Sequence, residues 1–299
     1  MKLNRKRAAV VGALVAAVAL GGAVMPAQAA PAPVAKSSAV EIPVKKLPAG
    51  AKAKAATTSG RASAFTATSD VTLLPGDVLA SNEYIETENG ILYMQPDGNL
   101  VLDHTAGANL WASGTWNNPG AYAVLQTDGN FVVYKKDGGP TKGGALWSSR
   151  TWGNPNSHLS FQDDANLVVY RGDNAPVWST RTWRVGDNTL SGGENLERGT
   201  WMSGVNAILV QDNRGYLGVF YRHEDKAYGV GPYSPGAYTR MQNDGNLVIY
   251  KADGGEGKGG ATWASGTYGN PGAYFTFDAN TSAAVLRKAD GTELGHIGP

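Results

Sequence analysis

The sequence predicts an all-β protein of two tandem domains, each a threefold arrangement of small antiparallel sheets. Three observations carry this reading. Glycine fills 40 of the 299 positions, beside 15 prolines and 13 tyrosines, a composition of short strands and tight turns. A short polar phrase recurs along the chain. The spacings between its copies are themselves repeated, so the repeat has a higher order.

The phrase reads Gln95-Pro96-Asp97-Gly98-Asn99-Leu100-Val101, then Gln126-Thr127-Asp128-Gly129-Asn130-Phe131-Val132. It returns as Gln162-Asp163-Asp164-Ala165-Asn166-Leu167-Val168 and as Gln242-Asn243-Asp244-Gly245-Asn246-Leu247-Val248. Weaker echoes begin at Gln211 and Asp278, giving spacings of 31, 36, 49, 31 and 36. The 31–36 pair occurs twice, at an offset of 116. That offset also maps Pro119-Gly120-Ala121-Tyr122 onto Pro235-Gly236-Ala237-Tyr238, and Trp147 onto Trp263. Two duplicated domains follow, at about 66–185 and 186–299.

Each repeat has one grammar. A strand at 122–126 runs into Asp128-Gly129, a tight-turn signal, and returns as a strand at 131–134. A third strand carries tryptophan, as at 110–113, 146–149 and 177–180. Turn clusters such as Asn117-Asn118-Pro119-Gly120 separate the repeats. One such hairpin cannot bury its apolar face alone. Three can, if their tryptophans point inward around a shared axis, which is the role expected of Trp147, Trp178 and Trp263. No helix is expected after residue 65.

The N-terminal 65 residues are of another material. Lys2, Arg5, Lys6 and Arg7 precede an apolar run from Ala8 to Val24, followed by Ala27-Gln28-Ala29. This is the three-part pattern of a secretory signal, with cleavage after Ala29, so the protein is expected outside the cell or on its envelope. The run of 17 residues is marginal for a membrane span, and no stable membrane insertion is expected. Residues 30–65 are rich in Ala, Lys, Pro, Ser and Thr, with six basic residues to one acidic. They read as a flexible linker, wall-spanning spacer or propeptide.

Charge and composition exclude several chemistries. From residue 65 onward there are 16 Lys and Arg against 24 Asp and Glu, a net of −8, which argues against a nucleic-acid footprint. No cysteine is present, which removes disulfides, thiol catalysis and Cys-ligated zinc. The four histidines, His104, His158, His223 and His296, are too scattered for a local ligand motif.

The phrase itself can carry chemistry. Gln, Asp and Asn supply donors and acceptors, Val an apolar patch, and a tyrosine further on a ring and a hydroxyl. Residues two apart share one strand face, and a turn at Asp-Gly would bring the same groups together from two strands. A sugar needs such a shallow, hydrogen-bonding surface. Turn duty alone accounts for Asp128 and Gly129. It accounts neither for Gln126 nor for Tyr134.

The pattern Gln-x-Asp-x-Asn-x-Val-x-Tyr resembles the mannose-binding motif of the bulb-type (snowdrop-type) lectins. It is complete at Gln126, Asp128, Asn130, Val132 and Tyr134, again at Gln162, Asp164, Asn166, Val168 and Tyr170, and at Gln242, Asp244, Asn246, Val248 and Tyr250. The resemblance covers roughly residues 70–299. It implies two β-prism II domains, each of three four-stranded antiparallel sheets with pseudo-threefold symmetry. It also implies mannose binding with no catalysis, cofactor or required metal. The polar members of each set would bond sugar hydroxyls while the valine touches the ring.

The other three copies depart from the pattern. The first keeps Gln95, Asp97, Asn99 and Val101 but has Asp103 at the tyrosine position. The fourth reads Asn213, Gly215, Leu217 and Val219 after Gln211; the sixth reads Asp278, Asn280, Ser282, Ala284 and Leu286. The leading expectation is a secreted lectin for mannose or mannose-containing glycans. A lectin-like bacteriocin docking on the surface polysaccharide of competing bacteria is a second class, and an envelope-adhesion protein without sugar specificity a third. Paired-carboxylate glycosidase chemistry is disfavoured, because Asp128, Asp164 and Asp244 are equivalent copies in separate repeats.

Overall fold

A computed structural model of the chain describes residues 38–54 and 70–298. The expected export signal at 1–29 lies outside them, as do residues 30–37 and 55–65 of the expected spacer. Each repeat is a three-stranded meander occupying its own sheet, and the described residues contain no helix. In the Gln126 sheet, Tyr122–Leu125 pairs with Phe131–Gly139, which pairs with Gly143–Ser148. The Gln162 sheet uses His158–Phe161, Leu167–Tyr170 and Pro176–Ser179 in the same way. The Gln242 sheet uses Tyr238–Met241, Leu247–Gly255 and Gly259–Ala264. Alternation along these strands sends Phe131 and Val133 into the core and turns Val132 and Tyr134 to the other face.

The fourth strand of each sheet comes from a lead segment ahead of the repeats. In domain one Val71–Leu73 joins the Gln162 sheet, Val78–Leu79 the Gln126 sheet and Glu83–Glu86 the Gln95 sheet. In domain two Thr189–Leu190, Asn195–Leu196 and Trp201–Ser203 do the same for the Asp278, Gln242 and Gln211 sheets. One lead segment therefore ties three sheets into a prism. The result is six sheets of four or five strands, the β-prism II arrangement in tandem.

The prism axis of domain one is filled by Trp111, Trp147 and Trp178. Their rings meet edge to face at centroid distances of 5.2, 5.4 and 6.2 Å. Domain two keeps only Trp263 of such a set. Where Trp178 pairs with Val169, its counterpart Gly295 pairs with Leu286. The missing ring leaves a cavity of about 300 Å³ lined by Trp263, Leu286, Leu294 and Gly295.

The fourth and sixth repeats fall differently from the sequence alignment. Gly215 N donates to Asp212 O and Asp212 N to Tyr216 O, as Gly245 N does to Gln242 O and Gln242 N to Asn246 O. Asp212, not Gln211, therefore stands in the glutamine position, followed by Arg214, Tyr216, Gly218 and Phe220. The left-handed glycine, φ 109° at Gly215 and 92° at Gly245, sets the register. In the sixth repeat the turn holds one more residue, with Asp278 N donating to Ala283 O, so Arg287 rather than Leu286 takes the tyrosine position.

Residues 38–54 depart from the expectation of a flexible spacer. Val40–Glu41 pairs antiparallel with Ala227–Val230 of domain two, and Lys52–Ala53 pairs parallel with Glu83–Glu86 of domain one. Ile42 is buried over Gly218 and Gly229, where an added Cβ would lie 2.7 and 2.9 Å from its Cδ1. The two glycines open a slot for the strap, and open sheet edges supply its hydrogen bonds.

The face that carries the phrase elsewhere is, in the fourth repeat, the seam between domains. Phe220 and Ile208 join the core cluster of domain one, and His104 meets Trp201 edge-on at 4.6 Å. Asn109 N donates to Asp212 Oδ2 at 3.1 Å, and Asn213 returns two bonds to Asn109 at 2.8 and 3.0 Å. Arg214 clamps the fully buried Asp212 through Nε and Nη2 at 2.9 and 2.7 Å. A buried carboxylate needs such a partner.

Candidate functional site

The turn of each complete phrase is an Asx turn. Asp128 Oδ1 accepts from Asn130 N at 3.0 Å, Asp164 Oδ1 from Asn166 N at 2.9 Å and Asp244 Oδ1 from Asn246 N at 3.0 Å. Gly129, at φ 85°, leaves no room for a Cβ, which would fall 2.1 Å from Asn154 O. The third phrase puts Ala165 at this point, with φ 64°.

Each asparagine has a second task beyond the one expected of it. Asn130 Oδ1 accepts from Ser149 Oγ at 3.3 Å and Thr151 N at 3.2 Å, tying the turn to the segment after the tryptophan strand. Asn166 does this with Thr180 and Thr182, and Asn246 with Ser265 and Thr267. The carbonyl end of each amide is thus held by the fold; Nδ2 is its remaining polar group, and that of Asn166 donates to Gln162 Oε1 at 3.4 Å.

The glutamine and tyrosine of each phrase, eight residues apart in sequence, are bonded across the hairpin. Gln126 Nε2 donates to Tyr134 Oη at 2.9 Å, Gln162 Nε2 to Tyr170 Oη at 3.2 Å and Gln242 Nε2 to Tyr250 Oη at 2.9 Å. A bulge follows Val133, Val169 and Ile249, next to each of these tyrosines. Burial raises the phenol pKa of Tyr134, partly offset by the Gln126 bond, and burial also raises that of Tyr250. Burial raises the Asp164 carboxyl as well, against the Asn166 bond. Asp128 and Asp244 are exposed.

The valines lie deeper than a ring-contacting role suggests. Val132, Val168 and Val248 are 1%, 3% and 2% exposed. Beside them a second ring stacks on each tyrosine: Tyr122 on Tyr134 at 5.8 Å, His158 on Tyr170 at 5.3 Å and Tyr238 on Tyr250 at 5.8 Å. Sequence reasoning did not assign these partners. Tyr122 and Tyr238 were visible only as the last residue of the duplicated Pro-Gly-Ala-Tyr landmark.

The incomplete phrases have other geometry. Asn99 N still donates to Asp97 Oδ1 at 2.9 Å, so the first turn is intact. Asp103 accepts from Asn109 Nδ2 at 2.7 Å rather than facing Gln95, and Tyr93 stands opposite Val101 where Val124 stands opposite Val132. Burial pushes the Asp103 carboxyl up to about 6, with Asp212 adding to the rise and Asn109, Lys45 and Arg214 opposing it. In the fourth repeat Arg214 and Phe220 fill the face from within.

Three hairpin faces of like geometry thus stand on the two domains. No family model matches the chain. Over 63 residues it is 40% identical to the mannose-specific lectin of Dendrobium findlayanum, a match over 21% of this chain and 37% of that protein. The chain thus spans about a third of the length of that curated relative. It is 36% identical to a lectin from Allium sativum, over 36% of this chain and 96% of the other, with a TM-score of 0.31. A monomeric monocot mannose-binding lectin from Gastrodia elata gives 30% identity, 38% and 97% coverage and a TM-score of 0.33. The mannose-specific snowdrop (Galanthus nivalis) agglutinin, solved with methyl-α-D-mannoside, gives 32%, 37% and 95%, and 0.30. Over the matched residues the chain is a homologue of the bulb-type mannose-binding lectins.

Proposed function

We propose that this protein is an exported, non-catalytic lectin that binds mannose or mannose-containing glycans at its three complete phrases. The observation that carries the reading is the threefold recurrence of one arrangement: an Asx-turn carboxylate, an amide and a glutamine-bonded phenol on one hairpin face. The homologous stretch shared with a mannose-specific lectin of Dendrobium findlayanum supports the choice of sugar. The free oxygen of each aspartate accepts from one sugar hydroxyl, the asparagine Nδ2 donates to another, and the stacked pair of rings (Tyr–Tyr, or His158–Tyr170) borders the sugar ring. A shallow site of this kind holds one monosaccharide weakly, so useful affinity comes from several sites on one glycan surface.

Calorimetric titration with methyl α-mannoside tests this on the wild type and on D128N, D164N and D244N. Wild-type stoichiometry near three is expected, falling by about one with each substitution. Each change weakens a charge-assisted bond, by roughly 1–2 kcal/mol. Unchanged binding in all three variants would reduce the phrase to turn chemistry.

A further inference from the structure

The complete phrases differ in what adjoins them. The Gln162 face opens into a cleft of about 770 Å³ to which both domains contribute: Gln162, Asn166 and Tyr170 come from domain one, Arg198 from domain two, and Arg181 from just past the Trp178 strand. Asp164 sits at the turn of the same phrase but is not among the residues lining the cleft, and no other carboxylate lines it. Arg198 Nη1 donates to Asn213 Oδ1 at 3.0 Å, a neutral acceptor, and among the described residues neither arginine is in an ion pair. Two guanidiniums thus share one cleft without a counter-charge. Burial lowers the Arg198 pKa, and the positive charge of Arg181 lowers it further.

The backbone adds an independent sign. Arg181 is left-handed, at φ 60°. The same place in the first and fifth repeats, between the Ser and Thr that hold the motif asparagine, is Gly114 (φ 73°) and Gly266 (φ 69°). Glycine takes this conformation freely, whereas a long side chain there is strained. Arg150 has the same position in the second repeat; at Gln162, Arg198 adds a second guanidinium.

We infer that the Gln162 cleft is a bipartite site for a hexose bearing an oxyanion, the ring on the Gln162–Tyr170 face and the anion between Arg181 and Arg198. The inference rests on the lectin reading and specifies the substrate class of one of its sites. Planar guanidiniums match the geometry of phosphate and carboxylate oxygens. An anion placed there would relieve the repulsion between them.

The test uses the full chain, titrated with methyl α-mannoside, mannose 6-phosphate and the methyl glycoside of mannuronic acid. One site per chain is expected to bind a charged hexose roughly tenfold tighter than the neutral mannoside, a gain that shrinks with added salt. Preference for both anions marks a general oxyanion site, and preference for one identifies phosphate or carboxylate as the source. Arg181→Gly, which installs the residue of the fifth repeat and removes backbone strain, and Arg198→Gln should each abolish the gain while neutral binding persists. Equal affinity for charged and neutral sugars, with neutral binding intact, overturns the inference and leaves the lectin reading standing. A gain that survives in both variants overturns it as well. Failure of the neutral mannoside at every site overturns the lectin reading itself.

Discussion

Domain one closes its axis with three interlocked tryptophans and carries two complete phrases; domain two has one tryptophan facing a cavity and carries one. Yet both build the same prism from the same lead segment and meanders. The frame therefore rests on what they share: a left-handed residue at every phrase turn, glycine in four of the six, and the alternating apolar residues of the strands. Axis filling and the polar face vary repeat by repeat. The fourth repeat shows how far this goes, since its face has become the domain seam without disturbing its meander.

The largest expected effect breaks the domain one axis. Trp111 is 6% exposed and touches both other rings. Trp111→Ala should cost about 3–5 kcal/mol, read as a lowered denaturant midpoint of domain one. The same truncation at Trp263, already beside a void, should cost less. Equal losses would contradict the contrast between the two axes.

Asp103 gives an intermediate effect at the seam. Its carboxyl is raised from 3.8 to about 6, so between those values the folded chain binds more protons than the unfolded one. Its contribution to stability is full below about pH 4 and is lost as pH rises through 6. Asp103→Asn, which can still accept from Asn109, should therefore be more stable than wild type at pH 7 by up to about 3 kcal/mol. Urea midpoints should converge at pH 4. His104, whose pKa burial holds well below 6.5, tilts both proteins the opposite way and cancels in the comparison. An advantage of equal size at both pH values would refute the assignment.

The smallest effect repairs domain two. No atom lies within 4 Å of a Cβ built on Gly295. Gly295→Val places a β-branched side chain in the cavity and should stabilise by about 1 kcal/mol, measured as a raised midpoint of domain two.

The prism was legible because its signals are local and repeated: Asp128-Gly129, the strand alternation and the tryptophans recur at fixed spacing. The fourth strands were not. Val78–Leu79 and Asn195–Leu196 are two residues each, too short for any periodicity, and are defined by partners far along the chain. Gln211 misled because it matched the phrase by letter, whereas Gly215 fixes the turn by conformation. The grouping of each phrase on one hairpin was legible: Gln126 bonds to Tyr134 and Asp128 to Asn130 there. The inward carbonyl of Asn130 and the stacked ring of Tyr122 were not, because both depend on tertiary neighbours. The strand pairing of residues 38–54 was hidden for the same reason: an Ala- and Lys-rich segment pairs only because two sheet edges stand open.

That strap has a consequence for the order of assembly. Val40 pairs with Gly229, 189 positions further on, whereas Lys52 pairs with Glu83, only 31 away. During synthesis Glu83 emerges long before Gly229. The Lys52 end can close a short loop as soon as domain one forms, while the Val40 end waits until the fourth repeat has folded. Closing the longer loop is entropically costlier and raises the contact order of the whole chain. Val40, made before either domain, is thus among the later residues to find its place, and closure of the strap requires that domain one and the fourth repeat have formed.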